Sequence, residues 1–233
     1  MCGRIVTRST PQQLQAAFRL SAVLAASEQP NFNVPPTLEI PAVINDGERE
    51  LDLLRWGLVP SWTRQLKGTP LMNNARAETL AVKRTFKTAL ERRRCVILVD
   101  GFYEWRREGK TKTPFLIRRK DGRPMAFAGL WDQWQSPERQ LLRSCTIVTC
   151  GPNDVMRPIH DRMPVILEGA SFEAWLAPEQ LPAQDLLPML VPCAPELLEA
   201  FPVSPLVNSV KNNGPELLLP HTAVNPQPEL SLG

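Results

Sequence analysis

The chain has 233 residues, of which 43% are hydrophobic and 22% are charged, and its formal net charge is +3. A chain of this length buries enough surface to fold without disulfides or a structural metal. Its longest apolar run, at 95–99, is far below the roughly 18 residues that a membrane span requires, and its charge is too small to indicate a nucleic-acid partner unless lysine and arginine cluster locally.

Proline and cysteine narrow the class of protein further. Proline accounts for 24 residues, about twice its average share of roughly 5%, which is typical of a globular domain rich in loops. The five cysteines form no C-x-x-C pair, so we expect neither a disulfide framework nor a zinc site. Because the N-terminal segment lacks the apolar core of a signal peptide, we expect a cytoplasmic protein.

The first predicted element is a short helix that begins at Pro11, because Thr10 is a favourable N-cap and proline suits the first helical position. Apolar side chains then recur with helical spacing. Two more short helices are predicted at 86–94 and 171–177, the second with Ser171 as its N-cap. We expect both to pack against a sheet.

Seven segments rich in β-branched and apolar residues predict β-strands, at 38–45, 50–59, 94–107, 113–119, 124–134, 144–150 and 163–167. Short, turn-like connections between them favour antiparallel hairpins over parallel crossovers. We therefore expect an α+β fold, a single domain with a curved, mostly antiparallel, barrel-like β-sheet flanked by short helices. The domain should span residues 1–220, and the Pro- and Leu-rich residues 221–233 should form a flexible tail.

Four polar segments lie within otherwise apolar or glycine-rich sequence, at 1–4, 73–78, 100–105 and 160–164. The sequence contains no G-x-G-x-x-G, Walker or G-x-S-x-G motif, so nucleotide-dependent and ordinary serine-hydrolase chemistry lose support. We therefore expect the chemistry of the chain to reside in these four segments.

Cys2 stands directly after the initiator methionine, which is normally removed before a small residue. The new N-terminus would carry an α-amine, whose ordinary pKa is about 7.7–8.0, beside a thiol, whose ordinary pKa is about 8.5. Both nucleophiles are partly available near neutral pH, and with an aldehyde the pair closes to a five-membered thiazolidine. The alternative is that Cys2 is a small buried residue of a first strand.

Glu104 and His160 are the candidate proton carriers. Glu104 lies in the Asp-Gly-Phe-Tyr-Glu-Trp segment at 100–105, where an extended strand places it on the same face as Phe102. A carboxylate beside aromatic surface loses hydration and suits proton transfer. His160 would act as a general acid, with Asp161 or another neighbour orienting its ring. The alternatives are a solvated glutamate and a structural histidine.

Candidate binding groups surround these segments. The segment 73–78 offers Asn74 as an amide that fixes a reactive group and Arg76 as a phosphate ligand, although a loop entering a helix explains both. Core packing explains Trp56, whereas Trp62, in a loop, suits stacking on a base. Basic residues near these segments predict a local phosphate-binding surface, and the alternative is that they are solvated surface charges. These residues are Arg4, Arg55, Arg64, Lys67, Arg76, Lys83 and Arg84.

Seven motifs stand in order along the chain: Met-Cys-Gly-Arg at 1–4, Asn-Val-Pro-Pro at 33–36, Arg-Trp-Gly-Leu-Val-Pro-Ser-Trp at 55–62, Asn-Ala-Arg-Ala-Glu at 74–78, Asp-Gly-Phe-Tyr-Glu-Trp at 100–105, His-Asp-Arg-Met-Pro at 160–164, and Val-Asn with Asn-Gly-Pro-Glu-Leu at 207–217. Together they closely resemble the SRAP (SOS response associated peptidase) family. Each motif alone is weak, but seven in register, spanning residues 2 to about 218, make the resemblance specific.

The resemblance implies a sensor of abasic sites in single-stranded DNA that forms a covalent protein–DNA crosslink through Cys2. It further implies that Glu104 handles the proton of the Cys2 amine, that His160 assists opening of the sugar and reversal, and that Asn74 positions the adduct. DNA contacts are implied for, or expected of, Arg4, Trp62, Arg76, Arg84, Thr149 and Arg162. The ring-opened abasic sugar is an aldehyde, so this role agrees with the chemistry predicted for Cys2.

We therefore expect a monomer that crosslinks to abasic single-stranded DNA through a thiazolidine, has an associated lyase activity, and shields the lesion during the DNA damage response. We expect it to need no cofactor or metal, and to associate with the nucleoid when it is bound to DNA. Two rival functions remain. One is a cysteine peptidase or amidase that uses Cys2, His160 and Glu104 on its own N-terminus or on peptides. The other is a module that merely coats single-stranded DNA.

Overall fold

The computed structural model describes residues 2–27 and 29–221 of the chain. Residues 222–233, nearly all of the predicted tail at 221–233, lie outside the described residues. The described part contains four α-helices and fourteen β-strands. None of the helices in this part is long and apolar enough to cross a membrane.

Helices and strands follow one another along the described chain without a repeating order. The helices are α1 Pro11–Phe18, α2 Arg84–Arg92, α3 Gly169–Trp175 and α4 Ala183–Leu186. The strands are β1 Ile5–Thr7, β2 Ala22–Val23, β3 Asn31–Val34, β4 Glu39–Ile44, β5 Glu50–Trp56, β6 Asn74–Arg76, β7 Arg94–Val99, β8 Gly101–Glu108, β9 Thr111–Arg119, β10 Met125–Gln135, β11 Leu141–Cys150, β12 Met163–Pro164, β13 Ile166–Leu167 and β14 Leu198–Pro202.

Five strands close into a small barrel. They pair in the order β11-β10-β7-β4-β5, and β5 returns to pair with β11. The neighbours are antiparallel except at this closure, where Ser144 lies opposite Arg55 in a parallel pair. Helices α2 and α3 pack against β7, which explains why every residue of β7 is buried. The predicted α+β fold with a mostly antiparallel, barrel-like sheet and flanking helices is confirmed.

A second sheet, in the order β14-β9-β8-β1-β3, lies beside the barrel. Its strand β8 separates two apolar clusters, because successive side chains of a strand point to opposite faces. Phe102 belongs to the main core, which also contains Cys2, whereas Tyr103 belongs to a smaller cluster with Val6. Alternation therefore directs the buried Glu104 toward the same side as Phe102 and Cys2.

The predicted continuous strand at 94–107 is wrong, because the chain leaves the barrel at Asp100. The Asp100 carboxylate accepts hydrogen bonds from the backbone N–H groups of Arg8 and Ser9, at 2.6 and 2.9 Å. Its own backbone N–H donates to Val6 at 2.9 Å. These bonds change the direction of the chain at Asp100, so that β7 belongs to the barrel and β8 belongs to the second sheet.

Two further predictions about element ends require correction. Helix α2 ends at Arg92 rather than at 94, because Arg94 already belongs to β7. The N-cap of α3 is Glu168 rather than Ser171, which occupies the third helical position and completes a reciprocal capping box. By contrast, α1 begins at the predicted position, with the Thr10 hydroxyl accepting a hydrogen bond from the backbone of Gln13.

Candidate functional site

Cys2 lies just before β1, and its side chain is fully buried. Strand β1 pairs with β8 in antiparallel fashion, and the backbone N–H of Tyr103 donates to the carbonyl of Arg4 at 2.9 Å. This pairing holds the N-terminal segment against β8. It brings Cys2 into the neighbourhood of Glu104, which is itself only 3% exposed.

Burial raises the pKa of the Cys2 thiol well above its ordinary value, and the charge of Glu104 raises it further. A backbone hydrogen bond from Arg4 acts in the opposite direction with a smaller effect. An electrostatic effect of this kind requires the carboxylate to lie close to the sulfur. The thiol therefore keeps its proton at neutral pH.

Asn74 fixes the backbone of Cys2. Its side-chain Nδ2 donates to the Cys2 carbonyl at 2.7 Å. The amide is held there because β6 pairs in parallel with β11, where Asn74 lies opposite Ile147, and because the intervening Ala75 is buried in the core. The Oδ1 atom of Asn74 is buried and accepts no hydrogen bond within the part of the chain that the structure describes, so it offers an acceptor beside Cys2.

The imidazole of His160 joins Glu104 at the site. Its Nε2 lies 3.9 Å from Oε2 of Glu104. Its Nδ1 lies 2.9 Å from Oδ1 of Asp161 and accepts from the backbone N–H of Arg162 at 3.0 Å. A protonated Nδ1 suits the carboxylate and a deprotonated Nδ1 suits the N–H, so the ring has a partner in either charge state.

An open groove of about 540 Å³ leads from the surface to Glu104 and His160. Its wall also contains Trp105, whose indole N–H donates to Oδ1 of Asn208 at 2.7 Å. Within residues 2–27 and 29–221, no three His, Cys, Asp or Glu side chains are arranged to hold a metal ion. The site therefore combines a buried thiol, an amide and a carboxylate–imidazole pair, and the groove reaches the carboxylate and the imidazole.

Arg162 is held firmly beside the site. Its guanidinium donates to both carboxylate oxygens of Glu78, at 2.6 and 2.9 Å, and to the carbonyl of Thr149 at 2.6 Å. The hydrogen bonds from Arg162 lower the pKa of Glu78. Thr149 is fully buried, so its expected contribution to DNA contact would act through Arg162.

Arg76, Arg84 and Trp62 occupy different parts of the surface. Arg76 is exposed at the end of β6 and lies opposite Thr149 in the parallel pair with β11. Arg84 is exposed at the start of α2, and Trp62 is 66% exposed in a loop. Among the described residues, Arg84 and Trp62 form no hydrogen bond or ion pair with the rest of the site. Trp56, by contrast, is a core residue.

Arg4 is engaged within the protein. Its guanidinium donates to Oδ1 of Asn33 at 2.5 Å and to the carbonyl of Val207 at 2.8 Å. Burial lowers the pKa of Arg4. In this arrangement, Arg4 links the segment that carries Cys2 to the C-terminal segment.

Sequence reasoning assigned no role to Asn33, Glu78 or Asn208, although all three lie inside the seven motifs. The structure shows Asn33 bonded to Arg4, Glu78 bonded to Arg162, and Asn208 bonded to Trp105. Each supports a residue at or near the site. Their presence inside the motifs was the available signal.

The sequence matches the family model described as SOS response associated peptidase (SRAP) over residues 1–210. The chain is 44% identical to the abasic site processing protein YoqW of Bacillus subtilis over 224 residues, which cover 95% of this chain and 100% of that relative. It is 33% identical to the abasic site processing protein HMCES of Xenopus tropicalis, over 82% of this chain and 66% of that relative.

Two solved structures share the fold. A protein from Bacteroides thetaiotaomicron superposes with a TM-score of 0.85 at 25% identity, covering 95% of this chain and 100% of that chain. A protein from Bordetella bronchiseptica superposes with a TM-score of 0.75 at 26% identity, covering 87% of this chain and 100% of that chain.

Proposed function

This chain belongs to the SRAP family, and we propose that it acts on abasic sites in DNA, the activity for which its curated relatives are named. The finer proposal is a covalent crosslink to the abasic sugar in single-stranded DNA through Cys2, formed by a monomer. The observation that carries it is the convergence on Cys2 of one amide, from Asn74, and one carboxylate–imidazole pair, from Glu104 and His160.

The proposed reaction begins at the α-amine that removal of Met1 would leave on Cys2. The amine nitrogen attacks the aldehyde carbon of the ring-opened sugar, and loss of one water gives a Schiff base. The Cys2 sulfur then forms a bond to the same carbon, and the thiol proton moves to the nitrogen. The product is a thiazolidine, and no oxidant, reductant or metal takes part.

Glu104 and His160 supply the proton movements that this sequence needs. The amine must lose a proton before it attacks, and the hydroxyl that leaves as water must gain one. Glu104 is buried beside Cys2, whereas the His160 side chain is 25% exposed and reaches solvent. We therefore assign two roles. Glu104 accepts the proton of the Cys2 amine, and His160 exchanges a proton with the sugar oxygen.

The same Schiff base accounts for the proposed lyase activity. While the C=N bond exists, a base can remove a proton from the neighbouring sugar carbon, and the 3′-phosphate then leaves with the electron pair of its C–O bond. Closure of the thiazolidine removes the C=N bond and stops this elimination. The balance between crosslink and strand cleavage thus depends on how quickly the Cys2 thiol adds.

The peptidase alternative receives less support from the site. Cysteine peptidases require a thiolate, and their nucleophilic cysteine has a depressed pKa beside a protonated histidine. Here burial and the charge of Glu104 raise the pKa of the Cys2 thiol. In the proposed reaction the amine attacks first and the thiol adds within the same molecule, so the thiol can remain protonated until that step.

The test is incubation with an oligonucleotide that carries one abasic site, followed by denaturing electrophoresis. We expect a denaturation-resistant band with the wild type and none with C2A. A chain with one glycine inserted between Met1 and Cys2 keeps the thiol but separates it from the terminal amine, and it should also form no stable band. The matched control is C95A, which removes a buried thiol in β7 and should crosslink normally.

Other results would overturn the proposal. Crosslinking by C2A at the wild-type level would exclude the thiazolidine. Turnover of peptides without reaction toward abasic DNA would favour the peptidase. Binding that ignores the abasic site and weakens steeply with salt would favour a module that coats single-stranded DNA.

A further inference from the structure

Two cations face each other across the β8–β9 hairpin. Arg107 and Lys112 are directly opposite in the antiparallel register, and both are exposed. The nearby hairpin carboxylate, Glu108, is paired instead with Arg106 at 3.2 Å. Within the described residues, the side chains of Arg107 and Lys112 form neither an ion pair nor a hydrogen bond. The hairpin thus presents two positive charges on one rung without a carboxylate between them.

Such a pair is unfavourable on its own. Residues directly opposite in an antiparallel pair have Cα atoms about 5 Å apart, and like charges at this position destabilise a sheet. An anion that lies between the two side chains converts this repulsion into two favourable interactions. A phosphate group fits, since Arg and Lys are the usual phosphate ligands of proteins.

The position of the pair indicates which phosphate. Arg107 and Lys112 line the same groove as Glu104 and His160. A DNA strand that brings an abasic sugar to Cys2 through this groove carries a phosphate on each side of that sugar. One flank can run toward Arg76 and Arg162, near β6 and β12. The other can run along the wall formed by the β8–β9 hairpin.

We propose that Arg107 and Lys112 together bind one backbone phosphate of the DNA flank that passes over the β8–β9 hairpin. This inference rests on the proposed function and adds a phosphate subsite to it. The two flanks of the abasic site are then held by different parts of the fold, one by the strands around β6 and the other by the second sheet. Such a division holds the sugar between them in the groove.

The test compares R107Q/K112Q with the wild type. The ligand is a single-stranded oligonucleotide carrying a central tetrahydrofuran analogue of the abasic site, which binds without reacting, and affinity is measured over a series of salt concentrations. Each phosphate contact with single-stranded DNA contributes about 0.7 to the slope of log K against log salt. We expect the double variant to lose about 0.7 from the magnitude of this slope.

The matched control is K120Q/R123Q, which removes the same charge from exposed positions. Lys120 lies eight residues beyond Lys112 along and just past β9, roughly 27 Å away at the rise of an extended strand. The control should keep the wild-type slope. Both double variants should fold, and the thermal midpoint of R107Q/K112Q should equal or exceed that of the wild type, because the replaced cations repel each other.

Shortened oligonucleotides identify the flank. One lacks the nucleotides 5′ of the abasic analogue, and another lacks those on the 3′ side. R107Q/K112Q should bind as the wild type does to whichever oligonucleotide lacks the flank held by the hairpin, and more weakly to the other. A deficit of equal size with both shortened oligonucleotides would overturn the proposal.

The remaining outcomes separate this subsite from the proposed function. If the wild type crosslinks to abasic DNA but R107Q/K112Q keeps the full salt slope, the subsite is wrong and the proposed function stands. If inorganic phosphate alone stabilises the wild type against heat, the double variant loses this effect and the slope is unchanged, then the pair binds a free anion and the proposal fails. If the wild type does not crosslink, the proposed function itself fails.

Discussion

At the scale of single residues, the site is organised by hydrogen bonds to the backbone around Cys2. Asn74 donates to the carbonyl of Cys2, and the buried Oδ1 atom of the same side chain faces the site without a partner among the described residues. A buried acceptor without a donor is costly. The N–H or hydroxyl of a bound adduct would satisfy it, so Asn74 would favour the adduct over the free protein.

We expect N74A to form the proposed crosslink about tenfold more slowly. The substitution removes the donor that holds the Cys2 carbonyl and the acceptor for the adduct, and a loss of about 1.4 kcal/mol corresponds to this factor. The measurement is the initial rate of crosslinking with an abasic oligonucleotide. The control is N73A, since the side chain of Asn73 forms no hydrogen bond within the described residues; equal rates for N74A and N73A would contradict the role of Asn74.

Glu78 is paired with Arg162, and we expect its substitution to strengthen DNA binding, whereas N74A weakens the reaction. Both oxygens of Glu78 engage the guanidinium of Arg162, so a DNA phosphate must compete with this carboxylate. We expect E78Q to bind abasic-analogue DNA about threefold more tightly, corresponding to about 0.6 kcal/mol. The measurement is the Kd at fixed salt.

The control for this prediction is E173Q. Glu173 pairs with Arg49 and, like Glu78, has a side chain that is 55% exposed. It lies in the second half of α3, away from the groove residues. The Kd of E173Q should equal that of the wild type, and an increase in Kd for E78Q would show that Glu78 positions Arg162 rather than competing with DNA.

Sequence reasoning identified Cys2, Glu104 and His160 as candidates because each combines a reactive group with an unusual local setting. It could not determine how they meet, since their separation depends on which strands pair. The burial of Thr149 was likewise beyond the sequence. It depends on β6 and β12 pairing with the two edges of β11: the predicted strand at 163–167 contains β12, but the sequence predicted neither β6 nor these pairings.

At the scale of elements, Asn33 on β3 is one of the residues that connect the second sheet to the C-terminal segment. Its side-chain amide donates to the carbonyls of Val207, Ser209 and Asn212, at 3.3, 2.9 and 2.8 Å. The Val207 carbonyl also accepts from Arg4 at 2.8 Å, and the Ser209 carbonyl also accepts from the backbone N–H of Asn212 at 3.1 Å. One buried amide thus fixes a loop that also supplies Asn208 to the groove.

We expect N33A to lower the free energy of unfolding by roughly 3 kcal/mol, because it removes from a buried position three hydrogen bonds to carbonyls and the acceptor of the Arg4 guanidinium. The measurement is urea denaturation, and amide hydrogen exchange of residues 205–218 should accelerate more than that of the barrel strands. The control is N213A, which removes one exposed bond to the backbone N–H of Phe32 and should cost about 1 kcal/mol. Equal costs for the two variants would contradict this account.

Element boundaries show where local patterns fail. Residues 94–107 form an uninterrupted β-like pattern, and only the capture of the Asp100 carboxylate by the backbone of Arg8 and Ser9 breaks it. That contact joins positions more than ninety residues apart in sequence. The apolar run of β7, in contrast, was predicted well, because burial on both faces leaves a direct signature in the sequence.

At the scale of the whole molecule, closure of the barrel sets the environment of the cysteines. Short turns predicted the antiparallel neighbours, but the parallel pairing of β5 with β11 joins distant segments and has no local signal. Closure leaves Cys95 and Cys145 completely buried inside the protein. Burial raises the pKa of both thiols well above the ordinary value.

These buried thiols predict a loss of stability at alkaline pH. Above the unfolded pKa of about 8.5 the unfolded chain releases their protons while the folded chain retains them, so stability is complete below this pH and falls as pH rises. Each such thiol should contribute a decrease of about 1.4 kcal/mol per pH unit. Urea denaturation between about pH 9 and 10.5 measures the slope, which should be smaller by this amount in C145A than in the wild type. An unchanged slope in C145A would mean that the Cys145 thiol ionises equally in the folded and unfolded chain.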